Sequence, residues 1–205
     1  MAKNKFSELA DQKTIDRAAE SLNKNGIKTI IVGNGAEAKK KVIELLPEGA
    51  EIMTMSSVTL DSTGISKEIN ESAKYDPVRK KFAAMDRNTQ GSLMQKLGAA
   101  PDYAIGSVHA VTEDGKVIVA SQSGSQLPAY AFGSGHVIWV VGAQKFVKNI
   151  DEGMKRVYDY VLPLEDARAQ KAYGKGSSVN KLLILNKEAA PDRITMIIVK
   201  EKLGF

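Results

Sequence analysis

The chain has 205 residues, a length typical of one domain or at most two, and 43% of the residues are hydrophobic and 26% charged. It contains no cysteine, which excludes disulfides, thiolate zinc sites, cysteine nucleophiles and cysteine-ligated iron–sulfur clusters. The net charge of +5 favours an anionic small ligand. Nucleic acid is not expected as a partner, because the sequence lacks an aromatic-rich basic platform.

The ends and apolar runs of the chain give an expectation about its location. The amino-terminal segment MAKNKFSELA has no apolar core of the kind that a secretory signal needs. The longest apolar run, residues 137–143, is too short to span a bilayer. We therefore expect a cytoplasmic protein without a membrane span.

The first quarter of the chain alternates between helical and strand-like patterns. Apolar residues at helical spacing between Ile15 and Leu22 predict a helix, and residues 28–32 predict a strand. A second helix is predicted around residues 38–45 and a second strand at residues 51–55. The order helix, strand, helix, strand predicts an α/β fold with a mostly parallel sheet.

Residues 59–98 differ in composition, since they are mainly polar and carry helical patterns. Val78, Phe82 and Met85 lie on one face of a predicted helix, and Pro77 stands near its start, where a missing N–H does no harm. We interpret this stretch as a helical insertion within a single domain, 1–205.

The second half of the chain is rich in strand-like runs. Strands are predicted at residues 103–105, 108–112, 117–120, 137–141, 182–185 and 194–199. Asp114-Gly115 predicts a tight hairpin. The last two strands are joined by NKEAAPDR, which predicts a C-terminal β-hairpin.

A first candidate site is the segment Gly33–Ala38, which matches the pattern G-x-G-x-x-A between a strand and a helix. This is the context of a dinucleotide fingerprint, and Gly33 and Gly35 would be its cofactor-binding positions. The alternative is an ordinary strand-to-helix turn that needs glycine freedom.

A second candidate site is the segment SQSGSQLPAYAFGSG at residues 121–135. Ser123, Gly124, Ser125 and Gln126 precede a predicted helix, with Ser125 as its N-cap, and follow a strand. Hydroxyls, glycines and free N–H groups at a helix start can hold a phosphate or carboxylate. Lys145 follows the next strand and would add a positive charge. The alternative is a capped turn without a ligand.

Two further candidates carry weaker patterns. Glu113, beside the predicted hairpin turn, is a candidate catalytic carboxylate, whereas a carboxylate at such a tip is ordinarily only solvated. His109 and His136 are the only histidines, and no spacing supports a metal site, so none is expected.

Several segments together resemble the LUD family of bacterial lactate-utilisation proteins. They are MSSVTLDSTGI, DYAIGSVHAVTEDGKVIVASQSGSQLPAYAFGSGHVIWVVGAQKFV, VLPLEDARAQKAYG, NKLLIL and RITMIIVKEKLGF. The resemblance implies the three-layer α/β sandwich of the superfamily that contains ribose-5-phosphate isomerase, glucosamine-6-phosphate deaminase and CoA-transferases. In that superfamily, loops matching residues 121–126 form phosphate or CoA sites, and TEDG at 112–115 resembles the glutamate-bearing turn of CoA-transferases.

The resemblance also implies a role. The chain is similar to the stand-alone, cluster-free subunit of a system that oxidises lactate to pyruvate. Such a subunit would bind a small anion or nucleotide, associate with cysteine-rich and iron–sulfur partner subunits, and itself hold no iron–sulfur cluster. A homo-oligomer is compatible with this role. The alternative is an independent enzyme, of the isomerase or CoA-transferase type, acting on phosphorylated or CoA-linked small molecules.

Overall fold

The computed structural model describes residues 4–205 and has two β-sheets with helices around them. The first three residues of the amino-terminal segment considered above lie outside the described residues. In chain order the strands are β1 (Ile27–Val32), β2 (Glu51–Thr54), β3 (Asp76–Pro77), β4 (Tyr103–Gly106), β5 (Ala110–Thr112), β6 (Val117–Ser121), β7 (His136–Gly142), β8 (Phe146–Val147), β9 (Lys181–Leu185) and β10 (Ile194–Val199).

The helices cover most of the remaining chain. In chain order they are α1 (Gln12–Lys24), α2 (Gly35–Leu45), α3 (Val58–Ser62), α4 (Ile65–Glu71), α5 (Val78–Ala83), α6 (Arg87–Ala99), α7 (Ile150–Arg156) and α8 (Leu162–Tyr173). The segment Val157–Val161 joins α7 to α8 as a π-helical stretch, a form that is often found at functional sites. Asp11 caps α1 by accepting the N–H of Thr14, and Asn34 caps α2 by accepting the N–H of Glu37.

The larger sheet is parallel throughout, with the strand order β1-β10-β7-β4-β2-β3. Its two central strands, β7 and β10, are apolar along nearly their whole length, because both of their faces are covered. The prediction of a mostly parallel sheet with crossover helices is confirmed.

The parallel sheet is the middle of several packed layers, with apolar clusters between neighbouring layers. On one face, α2, α3 and α4 bury residues such as Val42, Leu60 and Ile69 against the strands. On the other face, α1 and the smaller sheet bury a second apolar cluster that includes Trp139. A third cluster lies between the outer face of the smaller sheet and the segment from α7 to residue 161. The three-layer α/β sandwich is confirmed.

The smaller sheet has the order β8-β5-β6-β9 and contains the predicted tight hairpin. Strands β5 and β6 pair antiparallel across Asp114 and Gly115, and Gly115 has a φ of +79°. This positive φ explains why glycine follows the aspartate.

The predicted C-terminal hairpin is wrong, because β9 and β10 lie in different sheets. β9 pairs antiparallel with β6, whereas β10 pairs parallel with β1 and β7. The cause is burial: Ile194–Val199 is buried along its whole length, which suits a central parallel strand with neighbours on both sides. β9, with three exposed residues, stands at a sheet edge.

Residues 59–98 contain most of α3 together with α4, α5 and α6, and the two-residue strand β3 that extends the edge of the parallel sheet. Within residues 4–205, no helix combines the length and apolar character that crossing a membrane requires.

Candidate functional site

A cavity of about 1340 Å³ opens where β2, β4, β6 and β7 end. The carboxyl ends of parallel strands are where α/β folds bind their ligands. Its walls come from the loop after β2, the start of the loop after β4, the loop after β6, the turn after β7, and helices α4, α5, α6 and α8. The polar residues among them include Ser56, Ser57, Thr59, Asn70, Arg79, Ser107, His109, Ser121, Gln122, Ser123, Ser125, Gln126, Lys145, Glu165 and Arg168.

Lys145 is the most deeply buried amine of this cavity, with only 4% of the residue exposed. It lies in the single 3₁₀ turn that follows β7, so the end of a central strand fixes its position. Its Nζ donates to Thr59 Oγ1 at 3.1 Å and to Ser107 Oγ at 3.0 Å. Burial, and secondarily the charge of Arg156, lowers the pKa of Lys145 to about 7.

Arg156 lies behind Lys145 at the end of α7 and is fully buried. Its Nε donates to the carbonyl of Gln144 at 3.3 Å, and its Nη1 donates to the carbonyl of His109. Its Nη2 is buried and has no hydrogen-bond partner within residues 4–205. Burial lowers the pKa of Arg156 to about 10, which leaves the guanidinium charged at neutral pH.

His109 is a neutral donor facing the same cavity. Its Nδ1 accepts the N–H of Ala120 at 3.1 Å, so the imidazole carries its proton on Nε2. Burial, followed by the charges of Lys145 and Arg156, lowers the pKa of His109 to about 3. The Nε2–H is therefore available to a ligand, and His109 does not take up a proton near neutral pH.

A third cation, Arg79, contacts the end of β2 and the loop that follows it. Its Nε donates to the carbonyl of Thr54 at 2.8 Å and its Nη2 donates to Ser56 Oγ at 2.9 Å. The neighbouring Thr54 hydroxyl is hydrogen-bonded to Asn70. Arg79 thus contacts the end of β2 and the loop after it, and Lys145 contacts Thr59 in α3, the helix that this loop leads into.

These three cations all lack an acidic salt-bridge partner within residues 4–205, which makes the site electropositive. Lys145, Arg156 and Arg79 form no salt bridge with any acidic side chain of residues 4–205. Elsewhere on the wall, Arg168 is paired with Glu165 at 2.6 Å. A buried charge without an acidic partner is costly, so the cavity is short of negative charge around Lys145 and Arg156. Arg79 is only half-buried and feels the carboxylate of Asp61, which also lines the cavity.

The loop after β6 lies on the cavity wall together with Lys145, as the sequence predicted, but it is built differently. The helical turn is Ala129–Gly133 with Pro128 as its N-cap residue, so Ser125 is not an N-cap. Gly124 N–H donates to Ser121 Oγ at 2.8 Å, and Leu127 N–H donates to the Gly124 carbonyl at 3.1 Å. The hydroxyls and the glycine close the loop on itself, which uses the N–H groups of Gly124, Ser125 and Leu127 within the chain.

The other side chains of this loop are also engaged within the chain. Ser123 Oγ lies 3.1 Å from Ser125 Oγ, and Gln126 receives a hydrogen bond from Ser121 Oγ at 2.9 Å. Lys181 of β9 donates to the carbonyl of Ser123 at 3.0 Å. The loop supplies hydroxyls to the cavity wall and no free helix end.

The glycine turn Gly33–Gly35 is filled by the chain's own carboxylates. Gly33 N–H donates to Glu37 at 2.7 Å and Gly35 N–H donates to Glu201 at 2.9 Å. These are the N–H groups that would face a pyrophosphate in a dinucleotide site. The turn does not line the cavity.

The remaining candidates lie apart from the cavity. Glu113 forms a partly exposed ion pair with Arg17 at 3.1 Å, next to the β5–β6 turn. His136 is exposed at the start of β7 and stacks on Tyr103 with ring centroids 4.6 Å apart. Within residues 4–205, no group of three or more His, Asp or Glu side chains is placed to hold a metal ion.

Comparison with known proteins agrees with this architecture. The family model of the LUD domain matches residues 15–201. The chain belongs to the LUD domain family. Among solved structures, this LUD domain is similar to a DUF162 family protein from Deinococcus radiodurans, with a TM-score of 0.58 and 15% identity over 94% of this chain and 99% of that one. That identity shows a shared fold alone. No curated protein sequence matches the LUD domain described here.

Sequence reasoning missed several of the residues that define the site. Thr59 and Ser107 follow the ends of β2 and β4, so the strand-end rule could have found them. Arg79 and Arg156 had no such signal, because each reads as an ordinary charged residue of a helix. Only the folded chain shows that neither of them is paired with an acid.

Proposed function

We propose that this LUD domain binds a small anionic ligand in the cavity at the strand ends. The observation that carries the proposal is the buried pair of basic groups, Lys145 and Arg156, with which no acidic side chain of residues 4–205 forms a salt bridge. A carboxylate or phosphate beside Lys145 would offset the cost of burying these charges. Arg79 and the hydroxyls of Ser123 and Ser125 would contact other parts of the ligand.

The family membership supports a role as accessory subunit in the oxidation of lactate to pyruvate. Both molecules are carboxylates and match the charge of the cavity. Electron transfer would fall to the cysteine-rich and iron–sulfur partner subunits, since this chain has no cysteine to ligate a cluster. In this role the chain works in the cytoplasm.

A second candidate function is favoured by the size of the cavity. Ligand pockets usually measure about 300–1,000 Å³, and 1340 Å³ is much more than a three-carbon acid fills. This volume suits an independent enzyme for phosphorylated or CoA-linked molecules. It also suits an accessory subunit that holds a nucleotide.

The test is a thermal-shift panel of lactate, pyruvate, phosphate, ATP and acetyl-CoA on the intact chain. An anion at 100 times its Kd stabilises the folded state by about 2.7 kcal/mol, which raises the Tm by roughly 5–10 °C at this chain length. Lys145→Met should abolish the shift. Lys148→Met, which removes an exposed lysine three residues away, should leave it intact.

The panel also separates the two candidates. Shifts with lactate and pyruvate support the accessory role, whereas a response confined to acetyl-CoA supports the second candidate. If no anion raises the Tm, or if both lysine variants respond like the parent, the proposal fails.

A further inference from the structure

The hydrogen bonds around Lys145 determine how many N–H groups of its Nζ find an acceptor. Ser107 Oγ donates its own proton to the carbonyl of Val140 at 2.6 Å, and Thr59 Oγ1 donates to the carbonyl of Leu203 at 3.2 Å. Both hydroxyls therefore act as acceptors toward Nζ. A neutral amine has two N–H groups, and these two acceptors take both of them.

The consequence concerns the lone pair of the neutral amine. With both of its hydrogens held by Thr59 and Ser107, the lone pair is left for the cavity that all three residues line. An ammonium group would instead have a third N–H without a partner from these two hydroxyls. The groups around Nζ are thus arranged for an amine that reacts as a nucleophile.

The electrostatic surroundings agree with this arrangement. The titratable and charged neighbours that act on Lys145 and His109 are Arg156 on α7 and these two groups themselves, and none of them is acidic. The burial of the amine and, secondarily, the charge of Arg156 lower the pKa of Lys145 and favour the neutral form, as burial and a neighbouring cation do in lysines that form Schiff bases.

We propose that Lys145 captures the carbonyl group of an oxo acid as a Schiff base, with the acidic group of the same molecule held by Arg79. The proposal rests on the anion-binding function above and adds a substrate class to it. The nitrogen lone pair forms a bond to the carbonyl carbon, and one amine proton moves to the carbonyl oxygen. That hydroxyl then leaves as water with one proton from solvent. The remaining N–H stays on the protonated imine.

The experiment is reductive trapping on the intact chain. Pyruvate serves as the smallest 2-oxo acid, and cyanoborohydride reduces an imine by delivering hydride to its carbon. The mass of the protein should rise by that of pyruvic acid less one oxygen atom, and peptide mapping should place the adduct on Lys145. Labelling of Lys145 should exceed that of the exposed Lys148 by on the order of 10-fold or more near neutral pH, because burial lowers the pKa of Lys145 and the two hydroxyls leave its lone pair facing the cavity.

The outcomes separate this proposal from the one on which it rests. An adduct on Lys145 that is lost in Lys145→Met and kept in Lys148→Met supports it. Mapping on the parent protein does not depend on how the variants fold. A thermal shift with pyruvate but no adduct, or equal labelling of Lys145 and Lys148, overturns the Schiff base and leaves anion binding intact. If pyruvate gives no adduct and no anion of the thermal-shift panel raises the Tm, both proposals fail.

Discussion

Two regions of this LUD domain carry groups that could bind an anion, but they differ in whether the chain's own acids already occupy those groups. At the glycine turn before α2, the backbone N–H groups already hold the carboxylates of Glu37 and Glu201. At the cavity, Lys145 lines the wall and Arg156 is buried nearby, hydrogen-bonded to the carbonyls of Gln144 and His109, and no acid of residues 4–205 forms a salt bridge with either. The comparison shows that a sequence motif predicts an anion site only if its N–H donors are not already bound by the chain's own carboxylates in the folded structure.

The same comparison explains what the sequence could predict. The strands, the parallel sheet and the tight hairpin at Asp114-Gly115 follow from local patterns of burial and turn chemistry. The placement of Lys145 beside the loop after β6 follows from strand-end geometry. The pairing of β9 with β6 and the absence of an acidic partner for Arg156 within residues 4–205 could not be predicted, because both depend on which distant segments of the chain come into contact.

The largest expected effect is the pH dependence that Lys145 gives to stability. Its pKa is about 7 in the folded chain against 10.5 for an ordinary lysine, so between these values the unfolded chain binds more protons at this group. The free energy of unfolding should therefore rise with pH across this window by up to about 1.4 kcal/mol per unit from Lys145, and be flat for this group below it.

Lys145→Met isolates this effect, because it removes the titrating amine. The variant should be more stable than the parent at pH 7, and its advantage should shrink by roughly 1–3 kcal/mol at pH 9. Urea denaturation of both proteins at the two pH values measures the difference. An advantage that does not change with pH would mean that Lys145 titrates as an exposed lysine.

The next effect concerns the closed loop after β6. Gly124→Ala should lower the free energy of unfolding by about 1–2 kcal/mol, since Gly124 has a φ of +86° and an added Cβ would lie 2.6 Å from Lys181 Cδ. Gly135→Ala is the matched control, because its φ is not positive and its nearest neighbour is 3.7 Å away. Equal effects of both changes would contradict the account of this loop.

A smaller effect is expected at the glycine turn before α2. Glu37→Ala should cost about 1 kcal/mol of stability by removing the acceptor of the Gly33 N–H, and it should leave the thermal response to pyruvate or phosphate unchanged. Glu44→Ala, on the exposed face of the same helix, is the control and should cost less. A weakened anion response in Glu37→Ala would move the binding site toward this turn.

The smallest effect is expected at Glu113. Its ion pair with Arg17 is partly exposed, so Glu113→Gln should change the free energy of unfolding by at most about 0.5 kcal/mol. The thermal response to anions should also stay the same. Loss of either property would restore Glu113 as a candidate catalytic carboxylate.

The central claim is that Lys145 is a buried amine with a lowered pKa and that an anion binds beside it. The titration of Lys145 itself tests this claim most directly. NMR of protein carrying ¹³C-labelled lysine, assigned with Lys145→Met, gives the pKa of this group alone. We predict a pKa of about 7 in the free chain, and a higher value when phosphate is bound, because a nearby anion favours the charged form. A pKa near the ordinary 10.5 in the free chain, or no change at saturating phosphate, would contradict the account.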